Sequence, residues 1–396
     1  MFTKIISRSV GGKTTKCFLV DMLRGLRVSE ARNGFSTITL ESRKSQPGRR
    51  NMSQKIDVFS EQDFKILSSS FPEVVDTLTE VKPWNQDRRL VENLRVVLEK
   101  NVNFWTNSRG AATIGAYKVL EKTENLTDEN IRLASILAWC GKLFEAAIII
   151  TDDMVDNSET RGCVPCWYKN KNVGMRAAFD AIYLENAVFQ LLKKYFSTHP
   201  QYQQIVEEFH NSNFNMMIGQ LLDCITTDLK NFNMEHYKLV AHGKGSQMFF
   251  FIPIVLHFAN FPKELRESVR PIIDKFGQYY QVQNDYLDIY GDAEETGKIG
   301  TDIMKGKCTW LAIRMMEEAN YSQRNLMLEH YGKNNQKSVQ IVRNLYDELE
   351  FEDEYKQREL HLYEEIRQDI SELSNSLNHE LFYSLLDGLR DKKWIA

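Results

Sequence analysis

Two short clusters of acidic residues each follow a strongly apolar stretch of this 396-residue chain. In the first cluster, Asp152 and Asp156 stand four residues apart, so that on a helix they share a face, with Asp153 beside them. In the second, Asp285 and Asp288 stand three residues apart. Carboxylates this close repel one another unless a cation compensates them, and Mg²⁺ prefers carboxylate and water ligands. One cluster alone would also fit a solvated helix end or an N-cap, whereas two at the mouth of an apolar cavity favour a site for an apolar diphosphate.

Basic residues that could bind such a diphosphate are spread along the chain. The candidates are Arg109, Arg161, Lys244 and Lys298. Each of them, taken singly, is more simply explained as a surface charge in water. Their assignment therefore depends on the longer motifs in which they occur.

The elements that must position these residues are helices. From about residue 60 onward, apolar residues recur at steps of three and four, most clearly from Leu133 to Ile148, and this is the pattern of a helix with an apolar face. The alternation typical of strands extends over a few residues at most. We therefore predict one all-α domain over residues 52–396. Further helices are predicted at 86–101, 176–195, 202–224, 232–258, 263–291, 308–319, 338–349, 353–376 and 378–391, with breaks at Pro165, at Pro200, at 260–262 and at 297–300.

The composition narrows the class of protein. The chain is 42% hydrophobic and 26% charged, which excludes a disordered chain, and its net charge is −4. Residues 1–55 carry 12 basic and 3 acidic residues, so the remainder is strongly acidic and nucleic acid is not the expected partner. We also expect no membrane span, because the best apolar run that we identify, residues 248–259, is interrupted by Pro253 and His257.

The first 51 residues differ from the rest of the chain. They are basic, rich in Ser and Thr and poor in acids, with Asp21 as the first acidic residue. This composition predicts a mitochondrial transit segment, and a solvated extension is the alternative. A start at Met52 would leave a cytoplasmic enzyme.

Several motifs, including the two acidic clusters, resemble those of trans-isoprenyl diphosphate synthases, farnesyl diphosphate synthases in particular. They follow one another in the same order as in that family, over roughly residues 60–390. The resemblance implies an all-α bundle of the isoprenoid synthase type with a central apolar cavity, and a homodimer. It also implies three Mg²⁺ ions held by Asp152, Asp156 and Asp285. The matching motifs are Asp152-Asp153-Met154-Val155-Asp156, Thr160-Arg161, residues 218–223, 281–292, 297–303 and 307–310. The implied catalytic residues are Asp152, Asp153, Asp156, Asp285, Asp288 and Lys244, and the implied diphosphate contacts are Arg161, Lys244, Gln281 and Lys298.

The chain departs from the family's pattern where the acceptor substrate, isopentenyl diphosphate, is bound. The family's Gly-Gly-Lys falls on Phe104-Trp105-Thr106, so its lysine is absent, although Arg109 matches. Gly162 replaces an arginine and Glu145 replaces a glutamine. Each charged hydrogen bond to a diphosphate is worth about 1.5–3 kcal/mol, so the loss of two cations would weaken acceptor binding by about 10²–10⁴-fold.

These departures lead to a functional prediction. An enzyme that ionises an allylic diphosphate but lacks an acceptor is a terpene synthase, and we predict one that converts farnesyl diphosphate to a sesquiterpene and diphosphate. Ala147 and Ile148 stand where the family uses bulky residues to limit chain length, so a C15 or longer substrate would fit. Phe249, Phe250 and Tyr280 are candidates to line the cavity, with core packing as the alternative. Two other functions stay open: a farnesyl or geranylgeranyl diphosphate synthase, and a non-catalytic partner of such a synthase.

Overall fold

The computed structural model describes residues 60–103, 107–162, 164–226, 228–292, 300–392 and 394. The predicted basic segment, residues 1–51, lies outside the described residues, as do Trp105, Thr106 and Lys298. The predictions that concern these residues therefore stay predictions.

The prediction of an all-α fold is confirmed, since helices account for most of the described chain. Within the described residues, the strands are β1 (Thr160–Arg161) and β2 (Val164–Pro165), which form one short antiparallel hairpin. The helices are α1 (Glu61–Thr79), α2 (Arg88–Asn101), α3 (Ser108–Leu120), α4 (Asp128–Val155), α5 (Ala177–Phe196), α6 (Tyr202–Ile225), α7 (Met234–Lys244), α8 (Phe251–Phe258), α9 (Lys263–Ser268), α10 (Arg270–Tyr290), α11 (Asp302–Lys305), α12 (Trp310–Glu318), α13 (Tyr321–His330), α14 (Gln336–Glu348), α15 (Phe351–Glu372) and α16 (His379–Arg390).

The central element is α4, which packs against α1, α3, α5 and α8. Its N-cap Thr127 accepts a hydrogen bond from the Asn130 backbone, and two acids in its first turn complement the helix dipole. This 28-residue helix is the one described helix long and apolar enough to cross a membrane, so the longest apolar segment lies here and not at residues 248–259. The most apolar 18 residues of α4 are 83% buried. This helix therefore forms the core of the bundle.

Two of the predicted helices are broken in the structure. The segment predicted as one helix over 232–258 forms α7 and α8, and the chain bends by 47° between Met234–Phe249 and Phe251–Phe258. The segment predicted over 263–291 forms α9 and α10. Pro271 stands at the start of α10, where its missing N–H is tolerated, but it could not continue a helix from α9.

Some helices escaped prediction for a physical reason. In α3, every residue from Gly110 to Tyr117 is buried. A helix enclosed on all sides has no polar face, so its sequence lacks the periodicity on which the prediction rests. The helices α1 and α13 were also missed.

A close contact between two glycines joins α6 to α7. A side chain added at Gly219 would put its Cβ 2.7 Å from the backbone of Gly243, so neither position has room for one. The two helix backbones can therefore approach each other directly. This contact brings Asp223, one turn further along α6, next to Lys244 at the end of α7.

Candidate active site

A polar cleft lies at the C-terminal ends of α4, α6 and α7, where it is closed by α10 and residues 300–309. The cleft contains about 1140 Å³ of space, part of it open to solvent. Both acidic clusters that the sequence singled out contribute to its lining. The carboxylates that line it are Asp152, Asp156, Asp223, Asp285, Asp288 and Asp302, with Glu159 at its edge, and the cations are Arg161, Lys244, Lys305 and Lys307.

The first acidic cluster divides into two roles. Asp152 and Asp156 line the cleft, whereas Asp153 is buried behind it and accepts hydrogen bonds from Nε and Nη2 of Arg161 at 3.1 and 2.6 Å. Arg161 lies on β1, and its Nη2 is also 3.7 Å from Asp152 Oδ2. The structure thus separates Asp153, which orients the guanidinium, from its two neighbours that face the cleft.

Lysines neutralise Asp156. Its Oδ2 lies 3.0 Å from Lys305 Nζ, and its Oδ1 lies 3.4 Å from Lys307 Nζ. Burial alone would raise the pKa of Asp156, but the attraction of Lys307 and Lys305 outweighs burial and holds that pKa below its usual value. Asp156 is therefore a carboxylate anion at neutral pH.

Asp223 forms a second ion-pair centre opposite. Its Oδ2 lies 2.8 Å from Lys244 Nζ and 2.9 Å from Lys307 Nζ. The structure thus gathers three lysine amines, including Lys305, around one cleft. Of these four residues, sequence analysis predicted only Lys244 to bind the diphosphate. Asp223 and Lys307 lay inside motifs that match the family, and Lys305 lay in none of them.

The second acidic cluster is held by neutral donors. Asp285 accepts hydrogen bonds from the hydroxyl of Tyr237 at 2.8 Å, the backbone N–H of Trp310 at 2.9 Å and the amide of Gln281 at 2.9 Å. Burial raises the pKa of Asp285 to about 7 although these three donors favour the charged form. Gln281, predicted to contact a diphosphate, donates to Asp285 in this structure.

Asp288 ties the segment after residue 300 to α10. Its carboxylate accepts hydrogen bonds from the backbone N–H groups of Thr301 at 3.2 Å and Asp302 at 2.9 Å. These contacts place α11 and its Lys305 over the cleft. Asp288 therefore shapes the cleft as well as lining it.

An apolar cavity adjoins the cleft, and Arg161 lines both. The cavity contains about 750 Å³ of space, part of it open to solvent. Of the predicted cavity residues, Ile148, Phe250 and Tyr280 line it. Ala147 and Phe249 are buried in the neighbouring core instead, where the Phe249 ring packs 5.3 Å from that of Phe276.

Three further charged side chains line the same cavity. Arg109 of α3 donates to Glu145 of α4 through Nη2 and, at 3.1 Å, through Nε. Lys142 Nζ lies 3.1 Å from the other Glu145 oxygen, and Arg109 also donates to the backbone carbonyl of Trp394 at 3.0 Å. Burial would raise the pKa of Glu145, but Arg109 and Lys142 hold it below its usual value. Lys142 was missed by sequence analysis because it matched no motif.

Gly162, which stands where an arginine was expected, occupies the turn between β1 and β2. Its φ of 57° lies in the left-handed region, which favours glycine. The backbone of the hairpin therefore favours glycine at this position, in addition to any requirement that a ligand imposes.

The cleft offers the right ligand chemistry for Mg²⁺. As the side chains stand, no group of three His, Cys, Asp or Glu residues in the described part of the chain is arranged to hold a metal ion. Mg²⁺ does not need such a group, since it commonly binds through one or two carboxylates, water and substrate phosphate oxygens. Asp152, Asp156 and Asp285 could supply those carboxylates, and polyprenyl synthetases generally use Mg²⁺.

Comparison with known proteins identifies the family. The family model for polyprenyl synthetases matches residues 94–349. Farnesyl pyrophosphate synthase from Nezara viridula is 33% identical over 344 residues, which is 86% of this chain and 85% of that protein. The protein of the same name from Gallus gallus is 33% identical over 86% of this chain and 94% of its own length. Farnesyl pyrophosphate synthase 2 from Lupinus albus is 36% identical over 70% of this chain and 83% of its own.

These comparisons correct the functional prediction. The prediction of a sesquiterpene-forming terpene synthase is wrong, because these relatives are named for the synthesis of farnesyl pyrophosphate, which is the alternative that the sequence left open. The charges counted at the motif positions did not include Lys142, which lies beside Glu145. The resemblance drawn from the motifs is itself confirmed. The chain is an enzyme that belongs to the polyprenyl synthetase family.

Proposed function

We propose that the chain is a prenyltransferase, a farnesyl diphosphate synthase that joins an allylic diphosphate to isopentenyl diphosphate. In this reaction the C1–O bond of the allylic substrate breaks, a carbon–carbon bond forms to isopentenyl diphosphate, and a proton is lost. The products are a longer prenyl diphosphate and inorganic diphosphate. The observation that carries the proposal is the polar cleft of carboxylates and lysines joined through Arg161 to an apolar cavity.

The two compartments suit the two ends of such a substrate. Lys244, Lys305 and Lys307 would bind the oxygens of the allylic diphosphate, in place of the carboxylates with which they now pair. Arg161, held by Asp153, would bind the same group from the cavity side. Bound Mg²⁺ would neutralise the charge that develops on the departing diphosphate. The apolar wall formed by Phe144, Ile148 and Phe250 would exclude water from the prenyl chain.

A condensation assay tests this proposal. The full chain is incubated with Mg²⁺, geranyl diphosphate and isopentenyl diphosphate, and prenyl diphosphates are separated by chain length. We expect farnesyl diphosphate, and we expect none from Asp152→Ala. A wild-type protein that consumes no isopentenyl diphosphate would contradict the proposal.

We propose further that the enzyme is a homodimer formed through an apolar face on α5 and α6. Phe214, Ile218, Leu221 and Ile225 recur at helical spacing along α6, and each is 49–73% exposed. Phe179 on α5 is 75% exposed. Exposed apolar residues at this spacing favour burial against a second copy, which would present the same residues across a two-fold axis. Light scattering after size-exclusion chromatography should give a dimer for the wild type and a monomer for Leu221→Glu; an unchanged mass would contradict this interface.

We also propose mitochondrial import, on the composition of residues 1–51. A fluorescent fusion of the full chain should colocalise with mitochondria, and a fusion that starts at Met52 should not. Identical distributions of the two fusions would exclude a targeting role for the segment.

A further inference from the structure

Lys305, the last residue of α11, reaches the first acidic cluster across the cleft. Its Nζ lies 3.0 Å from Asp156 Oδ2, and among the residues that the structure describes Asp156 is its only ion-pair partner. The Lys305 side chain is 23% exposed. Asp156 caps the C-terminal end of α4, so this one ion pair joins α11 to the central helix.

The backbone that carries Lys305 is held at two points. Asp288 accepts hydrogen bonds from the backbone N–H groups of residues 301–302. The Ile303 carbonyl accepts from the Gly332 backbone N–H at 2.9 Å, and the Ile303 side chain is buried. The Lys305 backbone is thus fixed over the cleft. Its flexible side chain, which has one ion-pair partner, can exchange that partner for another anion.

Lys307 differs from Lys305 in its surroundings. Its Nζ lies 2.9 Å from Asp223 and 3.4 Å from Asp156, and its side chain is 11% exposed. Its backbone carbonyl accepts a hydrogen bond from the Tyr331 hydroxyl at 2.6 Å. Because Lys307 has two carboxylate partners and is more deeply buried, Lys305 leaves Asp156 more easily than Lys307 does.

We propose that Lys305 competes with Mg²⁺ for Asp156, and that a bound diphosphate ends this competition by drawing the Lys305 amine onto its own oxygens. The inference rests on the proposed function and gives a specific role to a residue that lies in none of the family's motifs. An ammonium group and a metal ion repel each other, so each weakens the binding of the other to one carboxylate. A diphosphate carries more negative charge than a carboxylate and is the stronger partner for the amine.

The competition would couple the binding of two ligands. Diphosphate that attracts Lys305 makes Asp156 available to the metal, and metal at Asp156 releases Lys305 for diphosphate, so the effect is reciprocal. The simpler alternative is a structural ion pair that fastens α11 to α4. The two readings differ in what the loss of the lysine does: competition predicts tighter metal binding, whereas a structural pair predicts no gain.

Two binding measurements on the full chain test the inference. In the first, Mn²⁺ replaces Mg²⁺ as the only ligand, and free Mn²⁺ is followed by electron paramagnetic resonance. We expect Lys305→Met to lower the Mn²⁺ dissociation constant about 10- to 100-fold, the equivalent of one charged hydrogen bond. A misfolded variant would not gain affinity. In the second, calorimetry with inorganic diphosphate and EDTA should show weaker diphosphate binding by the same variant.

Lys275→Met is the matched control. Lys275 is 26% exposed and lies 2.7 Å from Glu365 and 2.6 Å from Asp369, but it does not line the cleft. Its replacement should leave both dissociation constants within about twofold of wild type. Lys305→Arg keeps the positive charge and should bind Mn²⁺ about as weakly as the wild type. Equal gains in Mn²⁺ affinity for Lys305→Met and Lys275→Met would overturn the inference.

A double-mutant cycle with Asp156→Asn decides whether the effect passes through Asp156. In this background, Lys305→Met should change the Mn²⁺ dissociation constant by less than about twofold, because the carboxylate under competition is absent. An undiminished gain in this background would show that Lys305 acts as a general positive charge in the cleft. That result would overturn the inference, as would an unchanged constant for Lys305→Met alone.

These measurements need no turnover, so they separate the inference from the proposed function. Chain elongation by the wild type, together with an unchanged Mn²⁺ constant in Lys305→Met, would overturn the role of Lys305 alone. The expected Mn²⁺ and diphosphate constants, in a wild-type enzyme that consumes no isopentenyl diphosphate, would overturn the proposed function alone.

Discussion

The amine of Lys244 on α7 lies 2.8 Å from the carboxylate of Asp223 on α6, beside the point where Gly219 and Gly243 bring the two helix backbones together. The ion pair, which lines the cleft, thus depends on a helix contact that has no room for side chains. Packing and electrostatics are coupled at this place, because any increase in the spacing of the helices also separates the two charges.

Gly219→Ala should therefore destabilise the protein and impair the site. The new Cβ would lie 2.7 Å from the backbone of Gly243, and such overpacking costs about 1–3 kcal/mol. Urea denaturation measures the free energy of unfolding, and both this free energy and kcat should fall.

Gly141→Ala is the matched control for stability. Its Cβ would meet only the Phe250 ring, at 3.6 Å, and alanine favours the helix by up to about 1 kcal/mol. Equal stability of both variants would contradict the close contact.

Asp152 and Asp153 should respond differently to substitution. Asp152→Ala removes a carboxylate from the cleft and should lower kcat by at least about 10²-fold. Asp153→Asn leaves the cleft carboxylates in place but weakens the anchor of Arg161, so a loss of about 10- to 100-fold is expected. The Mg²⁺ concentration that gives half-maximal rate should shift in Asp152→Ala and stay constant in Asp153→Asn. A shift in both variants would mean that Asp153 also faces the metal.

Gly162 is predicted to be required by its backbone conformation. The φ of Gly162 is 57°, in the left-handed region. Gly162→Ala should therefore lower the free energy of unfolding by about 1–2 kcal/mol. Gly162→Asn should lower it less, because asparagine tolerates this region. Thermal unfolding compares the two variants. If alanine and asparagine were equally stable here, the hairpin would not require a left-handed residue.

The pH dependence of stability should include a contribution from Glu208. Burial would raise its pKa, but His257 and Arg270 together hold it below the usual value of 4.5. A carboxyl whose pKa is lower in the folded than in the unfolded state stabilises the protein above pH 4.5. This stabilisation is lost as the pH falls through the folded pKa.

Urea midpoints measured from pH 6 down to pH 3 check this contribution. The midpoint of Glu208→Gln should fall less steeply below pH 4.5 than that of the wild type. Parallel curves would contradict the assignment.

Much of this molecule was predictable from local sequence. The apolar periodicity between Leu133 and Ile148 predicted α4, and the carboxylates that follow it were predicted to face a site, as Asp152 and Asp156 do. Both inferences depend on spacings of three and four residues, which a helix converts directly into shared faces. The enclosed helix α3 lacked such a pattern and was missed.

The sequence by itself determined the helical class, the two acidic clusters and the family, because each is written in short stretches of neighbouring residues. Only the tertiary structure decided which charges share a cavity. Lys142 and Glu145 are neighbours on α4, but Arg109 reaches them from α3, and Lys305 reaches Asp156 across 149 positions of the chain. Such contacts arise from the packing of whole helices, so a count of charges at motif positions could not predict the balance of charge in the cavity.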